Sequence, residues 1–158
     1  MIRVVEARGA FGLDAARALF RAYAAGEPDD LCLAGFAAEV AGLPGAYAPP
    51  AGRLLLALDG ATAVGCVALA PGPSAGEAEI RRLYVAPGHR GAGAGRALAE
   101  AALQAARAEG YQAVALETRA HMDAARALYH SLGFTLRGRE GTVQHMTLAL
   151  ARAREDAR

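Results

Sequence analysis

In Arg90-Gly91-Ala92-Gly93-Ala94-Gly95-Arg96, two arginines enclose three glycines at alternate positions. Glycines at this spacing let a main chain turn sharply and lie close against a ligand. A β-branched and aromatic run, Ile80 to Val85, precedes them and is broken by Pro87-Gly88; an alanine-rich helical pattern follows. Strand, glycine turn and helix start, in that order, present main-chain N–H groups and a positive helix end to an anionic group. The chemistry then depends on which anion is held.

Several anion sites are excluded by composition. All 17 basic residues are arginine, and the chain has no lysine. A nucleoside-triphosphate loop needs a lysine after its glycines, and a pyridoxal Schiff base needs one to form. A dinucleotide fingerprint needs GxGxxG, whereas Arg96 stands where the last glycine would fall. That fingerprint also follows a first strand, and this turn follows the fourth, although Glu117 lies near the spacing of the ribose-binding acid. Glycines can serve geometry alone, but the flanking arginines argue against a purely structural turn.

The elements that must position this turn follow from periodicity. Ile2 to Glu6 reads as a strand. Gly12 to about Ala25 reads as a helix, with Asp14 in its first turn and Leu13, Ala16, Leu19, Phe20 and Tyr23 at helical spacing. A second helix spans Leu31 to Leu43, with Leu33, Phe36, Ala37 and Val40 on one face, and the prolines of Pro44 to Pro50 predict an extended surface loop. Strands at Arg53 to Leu58 and Thr62 to Leu69 flank an Asp59-Gly60 hairpin signal. Next come a strand at Glu79 to Val85, a helix from about Gly93 to Glu109 capped by Gly110, and a buried strand at Gln112 to Glu117. A short helix at Asp123 to Leu132 ends at Gly133, and strands at Phe134 to Arg139 and Thr142 to Leu150 close the chain. The order β-α-α-β-β-β-α-β-α-β-β predicts a mixed α/β sheet with helices on both faces, the two strands around the glycine turn's helix running parallel.

At 158 residues, positions 1–150 are expected to form one domain and 151–158 a polar tail. The net charge of +1, with arginines spread along the chain, gives no footprint for nucleic acid. No apolar run reaches the ~18 residues of a membrane span, and the N-terminus lacks a signal-peptide pattern, so a soluble cytoplasmic protein is expected. Cys32 and Cys66 form no CxxC and no ligand cluster, which predicts reduced thiols and no metal site.

Arg90-Gly91-Ala92-Gly93-Ala94-Gly95 resembles the R/Q-x-x-G-x-G/A signature of the GNAT (Gcn5-related) N-acetyltransferases. Leu83-Tyr84-Val85-Ala86-Pro87 precedes it and Gly95-Arg96-Ala97-Leu98 closes it, as in that family. Further on, Ala125-Arg126-Ala127-Leu128-Tyr129-His130-Ser131-Leu132-Gly133-Phe134 is similar to the family's A-x-x-LY-x-x-x-GF segment. The resemblance runs over roughly Arg53 to Leu150 and implies an acyl-CoA N-acyltransferase fold. It implies that Arg90 through Arg96 hold the pyrophosphate of acetyl-CoA, with Ala125 part of the same site. It implies further that the strand before the turn bulges and parts from its neighbour, so that the pantetheine arm lies along Leu83, Tyr84 and Val85 with a main-chain N–H toward the thioester oxygen.

The same resemblance implies a direct attack of a small-molecule amine on the thioester. Tyr129, the tyrosine of the second motif, is the expected acid: a phenol near pKa ~10 stays protonated and can donate to a departing thiolate. Glu79 is the expected base, through burial that raises its carboxyl, directly or by water, unless an ion pair with Arg81 or Arg82 occupies it; His89, His121, His130 and His145 are the alternatives. Strand alternation puts Glu77, Glu79, Arg81 and Leu83 on one face. Substrate contacts are expected from Phe36, Glu39, Tyr47, Arg119 and His121. Relatives carry an asparagine seven residues before the tyrosine; here Met122 stands there and the chain has no asparagine, so that contact is lost or passes to Thr118 or main chain. A non-catalytic acyl-CoA-binding or sensing domain is the alternative. A homodimer is compatible with the resemblance, though no sequence feature selects one.

Overall fold

The computed structural model describes residues 1–26, 33–120 and 122–150. Its elements are β1 (Ile2–Glu6), α1 (Gly9–Gly26), α2 (Leu33–Ala41), β2 (Arg53–Asp59), β3 (Thr62–Pro71), β4 (Glu77–Val85), α3 (Ala94–Ala108), β5 (Ala113–Arg119), α4 (Asp123–Ser131), β6 (Thr135–Glu140) and β7 (Val143–Ala149). The seven strands form one sheet in the order β1-β2-β3-β4-β5-β7-β6, in which only the β4–β5 pair is parallel. The mixed α/β class and the element order expected from the sequence are those observed.

Alternation in β2 shows how the sheet divides two cores. Leu55 and Ala57 join a cluster with Leu98, Ala102 and Ala106 of α3, while Leu54, Leu56 and Leu58 join Phe20 of α1 and Phe36 and Val40 of α2 on the opposite face. Each fully buried leucine contributes roughly 1.5–3 kcal/mol. In α3, Leu98, Ala99 and Ala102 are buried, whereas Arg96, Glu100, Gln104 and Arg107 face solvent. Behind it, Gly110 takes φ +86 and the Tyr111 N–H returns to the Ala106 carbonyl at 3.1 Å, closing the helix.

Three local expectations are corrected. α1 begins at Gly9, so Asp14 lies beyond the first turn and pairs with Arg17 at 3.0 Å. Ala37 is exposed, leaving Phe36 and Val40 as the buried spacing of α2. Pro44 to Pro50 lies largely at the surface but is not extended throughout: Gly45–Tyr47 forms a 3-10 turn that sends Tyr47 into the core, 2% exposed, edge-on to Phe20 at 6.2 Å. The apolar ring overrides the proline signal because burial outweighs a local turn preference.

Candidate active site

β4 and β5 pair only through Glu77↔Ala113, Ala78↔Val114 and Glu79↔Ala115. Past that point β4 continues along β3 and β5 along β7, and the two part. The departure begins in β4. Cys66 opposes Tyr84 and Ala68 opposes Arg81, so Val67 alone faces the pair Arg82-Leu83. This is a β-bulge, which bends and twists a strand away from its regular course. Arg82 takes φ +58, the one positive-φ non-glycine among the described residues, a conformation that costs a side-chain-bearing residue roughly 1–2 kcal/mol. The bulge also reverses alternation: Ala78 and Ile80 before it, and Leu83 and Val85 after it, all pack in the α3 cluster, while Tyr84 packs in the other. Leu83 therefore does not share the face of Glu79 and Arg81, as uninterrupted alternation had it.

The parting strands open a cleft of about 1110 Å³ whose walls include Arg81 to Val85 on one side and Glu117 to Arg119 on the other. Arg90, Gly91, Ala94 and Gly95 close one end and Ala125, Leu128 and Tyr129 of α4 another. Gly93 is the N-cap of α3 in the left-handed region, φ +88, and no side chain caps that helix. Its first-turn N–H groups are thereby left to a ligand or to water. Among the turn residues, Ala92, Gly93 and Arg96 shape the loop without lining the cleft. Arg96 donates to Ser131 Oγ on α4, and Arg90 Nε donates to the Val85 carbonyl at 2.8 Å with its guanidinium 5.7 Å from the Tyr84 ring. Both arginines brace the turn.

Tyr129 lines the cleft yet is only 6% exposed, edge-on to Phe134 at 5.8 Å. Burial, with a smaller push from Tyr23, holds its phenol well above the ordinary value. Thr118, also in the cleft wall, is 5% exposed and its Oγ1 is buried with no hydrogen-bond partner among the described residues. An unpartnered buried hydroxyl in a cavity wall is a group that a polar ligand can satisfy.

The charged residues divide into pairs. Glu79 lines the cleft with its carboxylate bound by Arg81 Nε, the ion pair the sequence allowed for. Glu117 lies across the gap, its Oε2 3.3 Å from His145 Nδ1. Glu39 does not reach the cleft. It accepts from Arg82 Nε at 2.9 Å, from a second Arg82 nitrogen at 2.8 Å and from the Tyr47 hydroxyl at 2.9 Å. Burial alone would raise Glu39, but the Arg82 hydrogen bonds and charge outweigh it and hold the carboxyl below its ordinary value. Phe36 and Tyr47 are buried beside it, and the three expected substrate contacts on this side turn away from the cleft: Glu39 bonds Arg82, Phe36 lies against its guanidinium and Tyr47 holds Glu39. Arg119 lines the cleft, Met122 forms the N-cap of α4 beside it, and His121 lies outside the described residues. Arg82 was missed by sequence reasoning, since nothing in its neighbours marks a positive φ.

Residues 15–134 match the family model described as Acetyltransferase (GNAT) family. An IAA acetyltransferase of Azospirillum brasilense is 41% identical over 91 residues, which cover 58% of this chain and 60% of that protein. The chain spans about half of the length of the curated relatives it matches. Among solved structures, a GNAT-family acetyltransferase from Staphylococcus aureus Mu50 superposes with a TM-score of 0.80 at 14% identity, covering 96% of this chain and 100% of that one. The PaiA N-acetyltransferase of Thermoplasma acidophilum, in complex with coenzyme A, gives 0.72 at 18% identity over 95% and 99%. At these identities the structural likeness speaks to the fold.

Proposed function

The chain belongs to the GNAT acetyltransferase family, and on that premise we propose that it is an acetyl-CoA-dependent N-acetyltransferase acting on the amine of a small molecule. The observation that carries this reading is the parting of β4 from β5 beside the uncapped start of α3. An extended arm with amides can lie along the unpaired strand edges, while its pyrophosphate meets the N–H groups of the glycine turn and the first turn of α3. Thr118 in the cleft wall supports the fit, because its buried hydroxyl has no hydrogen-bond partner among the described residues.

In the proposed reaction the neutral amine attacks the thioester carbonyl carbon, the C–S bond breaks, and the amide forms. Tyr129 supplies the proton that the leaving thiolate takes up. Its raised phenol is fully protonated at neutral pH, so the proton is in place to be given. Glu79 takes the amine proton, directly or through water, with Arg81 orienting its carboxylate. A cytoplasmic setting and a small polar acceptor complete the reading; among the described residues, no helix is long and apolar enough to cross a membrane.

The test is free-thiol release from acetyl-CoA across a panel of small amines, with Tyr129→Phe in parallel. Turnover that drops about 10²- to 10⁴-fold in the variant is expected for a general acid. Tight acetyl-CoA binding with no transfer to any amine would instead establish the binding or sensing role.

A further inference from the structure

Arg82 reaches from the bulge into the opposite core. Its guanidinium makes the two bonds to Glu39 on α2 given above, 2.9 and 2.8 Å, and lies 5.2 Å from the Phe36 ring and 5.9 Å from the Tyr23 ring of α1. Paired parallel bonds between a guanidinium and a carboxylate fix direction as well as charge, and the aromatic faces add attraction to a cation. Glu39 is held in turn by the Tyr47 hydroxyl, and the Arg82 carbonyl accepts from the buried Cys66 thiol at 3.4 Å. Both side chains of the ion pair are about four-fifths buried. A residue in a sparsely populated backbone conformation persists only where its surroundings over-determine it. These contacts act on the bulge from the side away from α3.

We propose that Arg82 is a positioning residue for acyl transfer: its clamp on Glu39 holds the β4 bulge in the left-handed form and thereby fixes the strand edge against which the thioester lies. The inference rests on the acetyltransferase reading. Beyond Glu79, β4 pairs with β3 and not with β5, and Ile80 and Leu83 pack toward α3, so on the opposite face the bulge is held by what grips Arg82. An N–H that stabilises a developing oxyanion must be in place before the reaction. Slack in the bulge would therefore lower the chemical rate, whereas affinity for acetyl-CoA, supplied largely by the glycine turn, would be kept. The clamp also gives α1 and α2 a way to influence the thioester without touching it.

Arg82→Lys, Arg82→Gly and Glu39→Gln separate this role from mere fold maintenance. Lysine keeps the charge but not the two-pronged geometry. Glycine accepts φ +58 without strain yet has nothing to clamp with. Each variant is expected to lose about 10- to 100-fold in kcat while its acetyl-CoA dissociation constant stays within about threefold. Arg82→Lys combined with Glu39→Gln should lose no more than the worse single variant, since both break one device. Unchanged kcat in Arg82→Gly or Glu39→Gln would overturn the proposal, and so would a parallel loss of acetyl-CoA affinity. If the wild-type protein transfers to no amine, the acetyltransferase reading fails, and amide hydrogen exchange decides the clamp alone. Exchange at Leu83 and Tyr84 should then be about tenfold faster in Glu39→Gln without a matching loss of global stability, and equal exchange would overturn it.

Discussion

At the residue scale, Thr118 separates stability from binding. A buried hydroxyl without a partner costs the folded protein roughly 1–3 kcal/mol, and valine has nearly the same shape without the hydroxyl. Thr118→Val should therefore raise the melting temperature of the unliganded protein, while weakening acetyl-CoA by about 5- to 10-fold, the worth of one hydrogen bond of about 1 kcal/mol. Opposite signs in the two measurements are the signature. A variant that is stabilised and binds acetyl-CoA as well as the wild type would show the hydroxyl to be a packing residue. Tyr129 and Thr118 also show what a sequence can carry. The tyrosine sits in a recognisable motif, so its place in the cleft was legible; the absence of a partner for Thr118 is a property of packed neighbours and is written nowhere along the strand.

At the element scale, the start of α3 makes the glycines of the turn unequal. Gly93 has φ +88, so Gly93→Ala should cost the unliganded protein about 1 kcal/mol through backbone strain, read in denaturant unfolding. Gly95 lies inside the helix, and an added Cβ would meet Leu128 and Val85 at an ordinary 3.8 Å. Gly95→Ala should leave stability equal or higher by up to ~1 kcal/mol, since alanine favours helix. Its effect on acetyl-CoA affinity then reports how closely the main chain approaches the ligand, and a tenfold loss is expected if the turn lies against the pyrophosphate. Unimpaired binding by Gly95→Ala would place the phosphates elsewhere. The strands and helices around this turn were legible because apolar periodicity is local. The bulge was not. One extra residue in β4 reverses the facing of everything after it, which is why Leu83 was assigned to the face of Glu79. Likewise the pairing of Glu39, expected at the substrate, is hidden in the sequence because its partner Arg82 lies 43 residues away.

At the scale of the whole molecule, the sheet separates two buried acids whose neutral forms the fold requires. Cys66 is fully buried in the cluster beneath α1 and α2, where burial pushes its thiol from 9.0 up to about 12. Tyr129 is buried in the α3 cluster on the other face and is raised for the same reason, as is Tyr47 by burial and then the Glu39 charge. In each case the folded chain keeps its proton after the unfolded chain has released it. The unfolded state then binds fewer protons, so stability falls as pH rises. The contribution is fully present below about pH 9, begins to be lost through Cys66 above that, and is lost faster above about pH 10, where unfolded tyrosines also ionise. Each such group adds up to ~1.4 kcal/mol per pH unit to the slope. Glu39 acts with the opposite sign, its stabilisation present above its ordinary range and lost in acid, so unfolding free energy should form a plateau near neutrality with a fall on both sides. Urea unfolding of the wild type, Cys66→Ala and Tyr129→Phe at half-unit steps from pH 7 to 11 isolates the two acids. The fixed cost of each substitution drops out when only the change with pH is compared. Cys66→Ala should flatten the fall from about pH 9, and Tyr129→Phe only from about pH 10. Identical slopes in all three proteins would mean that neither group must stay protonated for the fold to hold.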